Sequence, residues 1–306
     1  MEVIVDSGSR LHAGFHYIGE GYWGGCGFYL ERPGFRIKAW RCRNGSVIGA
    51  GESLQVVRGV LGSLHGMCVE VLEEIPLHVG LGSTTQTVLA LALAYKALYG
   101  TRDPIYVMAR RLGRGRYSWV GTLLFAYGGF IADAGAGVNA PEPITRLSIP
   151  GEWRFIVVIP QLRRGYSEDI ERQILDIARK PSQTSSRLMA TGALKLMMGI
   201  ARRDLKLALE GLKAMQMGTG IYFSKHQGGT YRDDLQRIVE EAERNGIMLA
   251  QSSWGPTLYT ISTIDQAKGD AYLIKTILSE LGIKGEIIVS KPRNQGAKIT
   301  LISDSS

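Results

Sequence analysis

The sequence predicts an α+β fold in two parts, and three observations support this prediction. Short β-branched and aromatic runs, which are typical of strands, occur in the first half of the chain and return at its end. Between them, apolar residues follow the spacing of amphipathic helices. The 39 glycines are concentrated in the first half. Strands that are separated by helices and then return suggest a sandwich of the split βαβ type.

The first half reads as strands around one long helix. Strands are predicted at Val3–Val5, Cys26–Leu30, Arg36–Trp40 and Gly129–Asp133. The helix is predicted at Thr85–Tyr99 and ends before Gly100. Glycine clusters such as Gly14–Gly27 and Gly80–Gly82 predict tight turns or loops that face a ligand, because glycine permits positive φ and close backbone approach.

The second half is predicted to alternate helices with strands. The strands are Phe155–Ile159, Thr257–Ile261, Glu286–Val289 and Lys298–Ile302. The helices are Glu168–Arg179, Arg187–Ala201, Leu205–Met217, Tyr231–Arg244 and Ala267–Leu281. The change in composition near Pro150 predicts a domain boundary there, with domains at residues 1–150 and 151–306.

Composition places the chain among globular proteins. It has 306 residues, of which 45% are hydrophobic and 21% charged, so disordered, collagen-like and coiled-coil proteins are excluded. The net charge of +8 suggests nucleic acid as a partner, but acidic residues interleave with the basic ones and no run of five like charges occurs. We therefore expect anionic small-molecule substrates, and neither nucleic acid nor a membrane as a partner.

The cysteines and the N-terminus predict the compartment. Cys26, Cys42 and Cys68 are too few for a disulfide framework and lack the spacing of zinc ligands. We expect them to be reduced thiols. The N-terminus has an acidic residue, Glu2, and no long apolar run, so no secretory signal is predicted. These features predict a cytoplasmic protein.

The most informative motif runs from Pro76 to Gln86. Gly80 and Gly82 allow backbone N–H groups to converge, and hydroxyl side chains follow at the start of the predicted helix, at Ser83, Thr84 and Thr85. Such a helix N-terminus attracts phosphate or pyrophosphate. Ordinary helix capping by Ser or Thr is the alternative. The motif has neither the Gly-Lys-Ser/Thr of a P-loop nor the dinucleotide-binding glycine spacing.

This loop resembles the glycine- and serine-rich loop of the GHMP superfamily of small-molecule kinases, whose core reads approximately Pro-x-x-x-Gly-Leu-Gly-Ser-Ser. Other segments are similar to one branch of it, the β-ribofuranosylaminobenzene 5'-phosphate synthase family. They are Ser9–Phe15, Gly24–Pro33, the Thr-Gln pair at 85–86, Gly128–Asp133 and Ser252–Thr257. The similarity runs from about Ser9 to Gly296.

The resemblance implies a two-domain GHMP kinase-like fold. Its N-terminal α/β domain would carry the glycine-rich phosphate loop, and its C-terminal domain would be a ferredoxin-like split βαβ unit. The implied reaction is a Mg²⁺-dependent, decarboxylating condensation of phosphoribosyl pyrophosphate with 4-aminobenzoate or 4-hydroxybenzoate. It releases CO₂ and pyrophosphate and is an early step of archaeal-type methanopterin coenzyme biosynthesis. A homodimer is compatible by analogy with the superfamily.

Two other classes of function stay open. The first is an ATP-dependent GHMP small-molecule kinase. Such kinases usually hold Mg²⁺ with a glutamate on the helix after the phosphate loop, and the predicted helix Thr85–Tyr99 contains no acidic residue. The second is a non-catalytic basic binding protein, such as an RNA binder, against which the scattered charge argues.

Catalytic residues are expected at Arg10, His12 and Asp133. Arg10 and His12 share one face of an extended segment, and a guanidinium can bind a carboxylate or a phosphate through two hydrogen bonds. Asp133 ends an apolar strand before a glycine-rich loop, where a carboxylate could bind Mg²⁺. A buried structural histidine and an ordinary turn aspartate are the alternatives.

Four further residues are candidates for binding. Arg114 and Arg116 lie in the densest basic segment and are expected to contact the ribose phosphate or pyrophosphate, with a solvated loop as the alternative. His78 and Trp254 are expected to contact substrate, although a lone Trp is more often part of a core.

The chain departs from the family pattern at several positions, which include Gly137 in place of a histidine. Ala126 and Tyr127 replace an acidic residue and a histidine, and Ala134 replaces a glycine after the aspartate. These changes leave open both the acceptor substrate and whether the chain is a divergent or an inactive member.

Overall fold

The computed structural model describes residues 1–135, 141–166, 168–176 and 180–302. Within these residues the chain forms two sheets with helices packed against them. The larger sheet contains β1 (Glu2–Tyr17), β2 (Trp23–Arg41), β3 (Val47–Ile48), β4 (Met67–Glu73), β5 (Phe130–Asp133), β6 (Pro143–Leu147) and the last strand, β11 (Lys298–Ile302). The smaller contains β7 (Trp153–Pro160), β8 (Ala250–Gln251), β9 (Leu258–Thr263) and β10 (Gly285–Ser290). The α+β prediction is confirmed.

The larger sheet is built on the long antiparallel pair β1 and β2. Its strand order is β11-β1-β2-β4-β3, and β5 joins β2 to β6. The predicted strands Val3–Val5, Cys26–Leu30 and Arg36–Trp40 are parts of these two longer strands. A register shift between His12 and Gly14 breaks the pairing just where β1 reaches the smaller sheet's helices.

Gly24 and Gly25 belong to a cluster that was predicted to form tight turns or ligand-facing loops, and they lie in a strand instead. Gly24, Gly25 and Gly27 lie inside β2. A Cβ on Gly24 would lie 2.2 Å from the carbonyl oxygen of Asp133, and one on Gly27 would lie 2.7 Å from a methyl of Val120. These glycines therefore let another strand and a helix approach β2 closely, a need that sequence cannot distinguish from a turn.

The smaller sheet has the split βαβ arrangement that was predicted. Its order is β10-β7-β9-β8, so β9 lies between β7 and β8 and every pairing is antiparallel. The helices of this half are α5 (Glu168–Asp176), α6 (Gln183–Arg202), α7 (Leu205–Gln227), α8 (Gln236–Arg244) and α9 (Ala267–Glu280), with a 3₁₀ turn at Asp233–Leu235. The predicted end of α5 at Arg179 lies outside the described residues.

The last strand crosses between the two halves. β11 pairs with β1 over Glu2–Asp6 and so extends the larger sheet, although the sequence grouped it with the second half. The boundary near Pro150 stays a prediction.

In the described part of the first half, four helices pack: α1 (Ser53–Leu61), α2 (Ser83–Tyr99), α3 (Ile105–Arg111) and α4 (Val120–Tyr127). Only α2 was predicted, and it is buried on most of its faces against β1 and β2. Gly82 precedes it and Gly100 ends it, both with left-handed backbone. No helix in the described part of the chain is long and apolar enough to cross a membrane.

Two of the three cysteines are bonded, which corrects the expectation of reduced thiols. Cys42 and Cys68 form a disulfide with a Cα–Cα distance of 5.7 Å, and Cys26 is free and buried. They meet because Trp40 of β2 pairs with Cys68 of β4, a proximity that a separation of 26 residues conceals in the sequence. Intracellular proteins of hyperthermophiles also contain disulfides, so the bond does not decide the compartment.

We expect this disulfide to stabilise the fold without affecting the site. For a loop of 26 residues, the chain-entropy model gives about 3.5 kcal/mol. Cys42→Ser with Cys68→Ser should lower the free energy of unfolding by about that amount, measured by denaturant unfolding. Dithiothreitol should lower the stability of the wild type and leave the double variant unchanged. Equal sensitivity of both proteins to reductant would contradict the bond.

Candidate active site

A cavity of about 230 Å³ lies where the phosphate loop, β1 and the loop at 113–118 face α5 and the turn at 253–255. Eleven of the predicted site residues line it: Arg10, His12, His78, Gly80, Gly82, Ser83, Thr84, Thr85, Arg114, Arg116 and Trp254. Asp133 does not line it. The structure thus brings together residues from both halves of the sequence.

The phosphate loop connects β4 to α2 and has positive φ at Gly80 and Gly82, +93° and +70°. A Cβ on Gly80 would lie 2.3 Å from the carbonyl oxygen of Ser252. Gly82 occupies the N-cap position of α2, and no side chain caps the helix there. Ser83 and Thr84 line the cavity at the first turn of α2, and neither caps the helix, which was the alternative. The first N–H groups of a helix have no partner within it, so this turn offers donors to an anion.

Arg10 lies directly against this loop. Its backbone N–H donates to the carbonyl of Leu81 (3.0 Å), and its guanidinium Nη1 donates to the carbonyl of Gly80 (3.3 Å). Burial lowers the pKa of Arg10 from its ordinary value, and the charge of Glu171 opposes that shift. The guanidinium stays charged at neutral pH because its ordinary pKa is so high. It is therefore a fixed cation beside the phosphate loop.

His12 is held as a neutral imidazole on the same wall. Burial, and then the charge of Arg10, lower its pKa to about 3. Its backbone N–H donates to the hydroxyl of Ser252 (2.9 Å), and its carbonyl accepts from the hydroxyl of Tyr259 (3.2 Å). A neutral histidine can position a substrate through hydrogen bonds but takes up little charge near pH 7.

Trp254 forms part of an aromatic wall. It is 9% exposed, and its ring centroid lies 4.9 Å from that of Phe223 and 5.1 Å from that of Tyr166. Trp254 is therefore packed in the core and also lines the cavity, so both alternatives that the sequence left open, core packing and a cavity position, describe it.

The remaining predicted contacts lie on two loops. Arg114 and Arg116 line the cavity from the loop at 113–118, and the guanidinium of Arg116 lies 5.5 Å from the ring centroid of Tyr117. His78 has φ +57°, and its carbonyl accepts from the N–H of Gly165 (2.8 Å). The two arginines add positive charge and hydrogen-bond donors to the cavity that the start of α2 lines.

Glu171 is the residue that sequence reasoning missed. It lies on α5, and its Oε1 accepts from the indole N–H of Trp254 (3.1 Å). It is the one carboxylate among the described residues that line the cavity. No local signal marks it, because α5 reads as an ordinary surface helix with alternating charges.

Asp133 has a structural role, which corrects its predicted metal and catalytic roles. Its Oδ1 accepts from the N–H groups of Gly25 (2.7 Å) and Gly135 (3.1 Å), and its Oδ2 accepts from the hydroxyl of Ser118 (2.9 Å) and the N–H of Trp119 (2.5 Å). It is 1% exposed. Four donors occupy the carboxylate, so it fixes the start of α4 against β2.

The cavity offers few ligands for a resident metal ion. Among the described residues, no group of three or more His, Cys, Asp and Glu side chains could hold one. Mg²⁺ often keeps several waters and binds mainly to substrate phosphates. The hydroxyls of Ser83, Thr84 and Thr85 therefore fit a Mg²⁺ ion that arrives on a pyrophosphate.

Comparison with known proteins adds family information. Residues 48–129 match the GHMP kinases N terminal domain, and residues 196–284 match the GHMP kinases C terminal domain. A β-ribofuranosylphenol 5'-phosphate synthase from Methanothermobacter thermautotrophicus is 30% identical over 78% of this chain and 74% of its own length. The enzyme of that name from Archaeoglobus fulgidus is 28% identical over 90% and 91%.

Solved structures show the same fold at low identity. Homoserine kinase from Cytophaga hutchinsonii superposes with a TM-score of 0.67 at 16% identity, over 98% of this chain and 97% of its own. Mevalonate diphosphate decarboxylase from Staphylococcus aureus gives a TM-score of 0.68 at 14% identity, over 98% of each chain. These similarities concern the fold alone.

Replacement of Asp133 by Asn should weaken the fold rather than metal binding. The new amide NH₂ would face donors that now meet a carboxylate oxygen, at a cost of about 2 kcal/mol or more. We expect a lower free energy of unfolding by urea, with the Mg²⁺ dependence of activity unchanged below the unfolding transition. A shifted Mg²⁺ midpoint with wild-type stability would return Asp133 to the metal site.

The buried His12 should make stability depend on pH. In the unfolded chain the pKa of His12 is near 6.5. Between pH 6.5 and about 3, His12 therefore binds a proton in the unfolded state but stays neutral in the folded state. The stability contributed by this difference is present above pH 6.5 and is lost as pH falls, by about 2 kcal/mol at pH 5. Urea unfolding at pH 7 and pH 5 should show the full loss in wild type and in a His65→Gln control, and a loss about 2 kcal/mol smaller in His12→Gln, where the buried His16 still contributes. An equal loss in all three would disprove it.

Proposed function

The chain belongs to the β-ribofuranosylphenol 5'-phosphate synthase family of the GHMP superfamily, and on this premise we propose the reaction that its cavity performs. It is an enzyme that transfers a phosphoribosyl group to a benzene ring and forms a carbon–carbon bond. Its substrates are phosphoribosyl pyrophosphate and 4-hydroxybenzoate or 4-aminobenzoate. The reaction releases pyrophosphate and CO₂ in the biosynthesis of methanopterin-type coenzymes. The relatives' names, which specify a phenol product, favour 4-hydroxybenzoate.

One observation carries the proposal: a phosphate-binding helix N-terminus and an aromatic wall face the same cavity. The start of α2, Arg114 and Arg116 supply donors and positive charge for a pyrophosphate. Trp254 supplies the wall on which a benzene ring can pack. A donor of pyrophosphorylated ribose and an aromatic acceptor need both features.

The leaving pyrophosphate is stabilised by groups that are already in place. As the bond from ribose C1 to the pyrophosphate oxygen breaks, that oxygen keeps the electron pair. The N–H groups of the loop and the nearby guanidinium groups neutralise this developing charge. Mg²⁺, when bound with the pyrophosphate near the hydroxyls of Ser83, Thr84 and Thr85, would supply further neutralisation.

The acceptor is oriented from the other side of the loop. Arg10 is placed to bind the benzoate carboxylate beside the ribose carbon. CO₂ then leaves without its bonding electrons, which return to the ring, so no ring proton has to be removed. A neutral His12 suits this requirement, because its pKa of about 3 fits it for orientation rather than for proton abstraction at the ring. A cytoplasmic location and a homodimer remain predictions.

The test is calorimetric titration with phosphoribosyl pyrophosphate plus Mg²⁺ and, separately, with ATP plus Mg²⁺. We expect binding of the first ligand alone. Release of labelled CO₂ from carboxyl-labelled 4-hydroxybenzoate or 4-aminobenzoate should then require phosphoribosyl pyrophosphate. Binding of ATP alone, with phosphorylation of a small molecule, would replace the proposal with a kinase.

Gly82→Ala should disable the loop. The position has φ +70°, and its new Cβ would lie 3.2 Å from Cβ and Nε of Arg10. We expect at least a tenfold loss of affinity for phosphoribosyl pyrophosphate by calorimetry, with about 1–2 kcal/mol less stability from the left-handed backbone. The matched control is Gly59→Ala in α1, where a Cβ meets nothing within 4 Å. Wild-type affinity in Gly82→Ala would exclude the loop as the pyrophosphate site.

A further inference from the structure

A recess of about 40 Å³ lies next to the main cavity. The two spaces share His12, Phe15, Glu171 and Trp254. Because Glu171 and Trp254 line both spaces, a ligand in the main cavity can reach from the phosphate loop to the side chains that border the recess.

The sides of the recess are aromatic. The ring centroids of Phe15 and Phe223 are 5.8 Å apart, and those of Phe223 and Trp254 are 4.9 Å apart. The ring centroids of His12 and Phe15 are 4.8 Å apart. Rings at these spacings form a surface on which a flat aromatic ligand packs well.

The polar floor of the recess is internally satisfied. Gln251 donates from Nε2 to Oε1 of Gln227 (3.1 Å) and from its backbone N–H to Oε1 of Gln216 (3.0 Å). Its own Oε1 accepts from the backbone N–H of Arg232 (2.8 Å). These hydrogen bonds connect the segments that carry Gln216, Gln227 and Gln251, which form the floor of the recess. Glu171 is the one acidic residue among the described residues that line the recess.

The reaction fixes which end of the acceptor enters the recess. The ring carbon that carries the carboxylate must meet ribose C1, which lies beside the pyrophosphate. The carboxylate end therefore lies near Arg10 and the phosphate loop. The substituent opposite it on the ring then points away from the loop, towards the recess and Glu171.

We propose that Glu171 accepts a hydrogen bond from the para hydroxyl or amino group of the acceptor and takes up its proton during ring attack. This proposal rests on the proposed function. The indole N–H of Trp254, which donates to Oε1 of Glu171 (3.1 Å), fixes the orientation of the carboxylate. An ionised carboxylate only accepts hydrogen bonds, so it matches both substituents, each of which carries a donor hydrogen.

The proton and electrons balance without another reactant. As the ring carbon bonds to ribose C1 and pyrophosphate leaves, positive charge spreads through the ring to the para hydroxyl. Glu171 takes the hydroxyl proton and leaves a neutral dienone that still carries the carboxylate. When the bond to CO₂ breaks, its electron pair restores the aromatic ring, and the proton returns from Glu171 to the oxygen.

The kinetic test compares Glu171→Gln with wild type. A Gln keeps the shape and removes the base, so kcat with 4-hydroxybenzoate should fall about 100-fold, while KM for phosphoribosyl pyrophosphate should stay within about twofold. The acid limb of the pH profile should also disappear. The matched control is Asp169→Asn, an exposed change on the same helix, which should retain wild-type kinetics.

A binding test separates this proposal from the proposed function. Wild type should bind 4-hydroxybenzoate at least about tenfold more tightly than 4-fluorobenzoate, which lacks the donor hydrogen, and Glu171→Gln should lose most of this preference. If wild type forms no product with either benzoate, the proposed function fails and proton uptake by Glu171 fails with it, and the binding preference still decides whether Glu171 accepts a hydrogen bond from the para substituent. The proposal for Glu171 is overturned if Glu171→Gln keeps wild-type kinetics and the wild-type preference for 4-hydroxybenzoate over 4-fluorobenzoate. It is also overturned if the variant keeps this preference and shifts the Mg²⁺ requirement.

Discussion

The hydroxyl of Ser252 joins the three segments on which the site depends. It donates to the carbonyl of Gly80 (2.6 Å) in the phosphate loop and accepts from the N–H of His12 (2.9 Å) in β1. Ser252 is completely buried, so water does not compete for these bonds. The turn that carries Trp254 follows it directly. A single side chain thereby connects the phosphate loop, the segment of β1 that carries His12, and the turn that carries the aromatic wall.

This arrangement explains why charge in the cavity is unevenly distributed. The phosphate-loop side presents a helix N-terminus, Arg10 and two further arginines, whereas the recess presents aromatic rings and Glu171. Asp133, the carboxylate that the sequence favoured as a metal ligand, accepts four hydrogen bonds that hold α4 against β2. Asp133 therefore adds no negative charge to the cavity in which a pyrophosphate would bind.

The parts of the fold and the site that the sequence predicted are those whose determining residues lie next to each other in the chain. The phosphate loop and α2 could be predicted because glycine spacing, hydroxyls and an apolar helix lie next to each other in the chain. Glu171 and the Cys42–Cys68 bond could not, because each depends on elements brought together from a distance. The position of Asp133 at a strand end was predicted correctly. Whether its carboxylate binds a metal or holds the fold depends on which groups surround it in space, and donors such as Gly25 and Ser118 come from distant parts of the chain.

The pairing of β11 with β1 has a consequence for how the chain reaches this structure. Val5 faces Ile299 in that ladder, so the larger sheet acquires its edge strand only after nearly the whole chain has left the ribosome. Contacts of such long sequence separation slow folding, since a large loop must close before they form. Until then the outer edge of β1 is open to pairing with other chains. The first half is therefore expected to need its second half, or a chaperone, to stay soluble during synthesis.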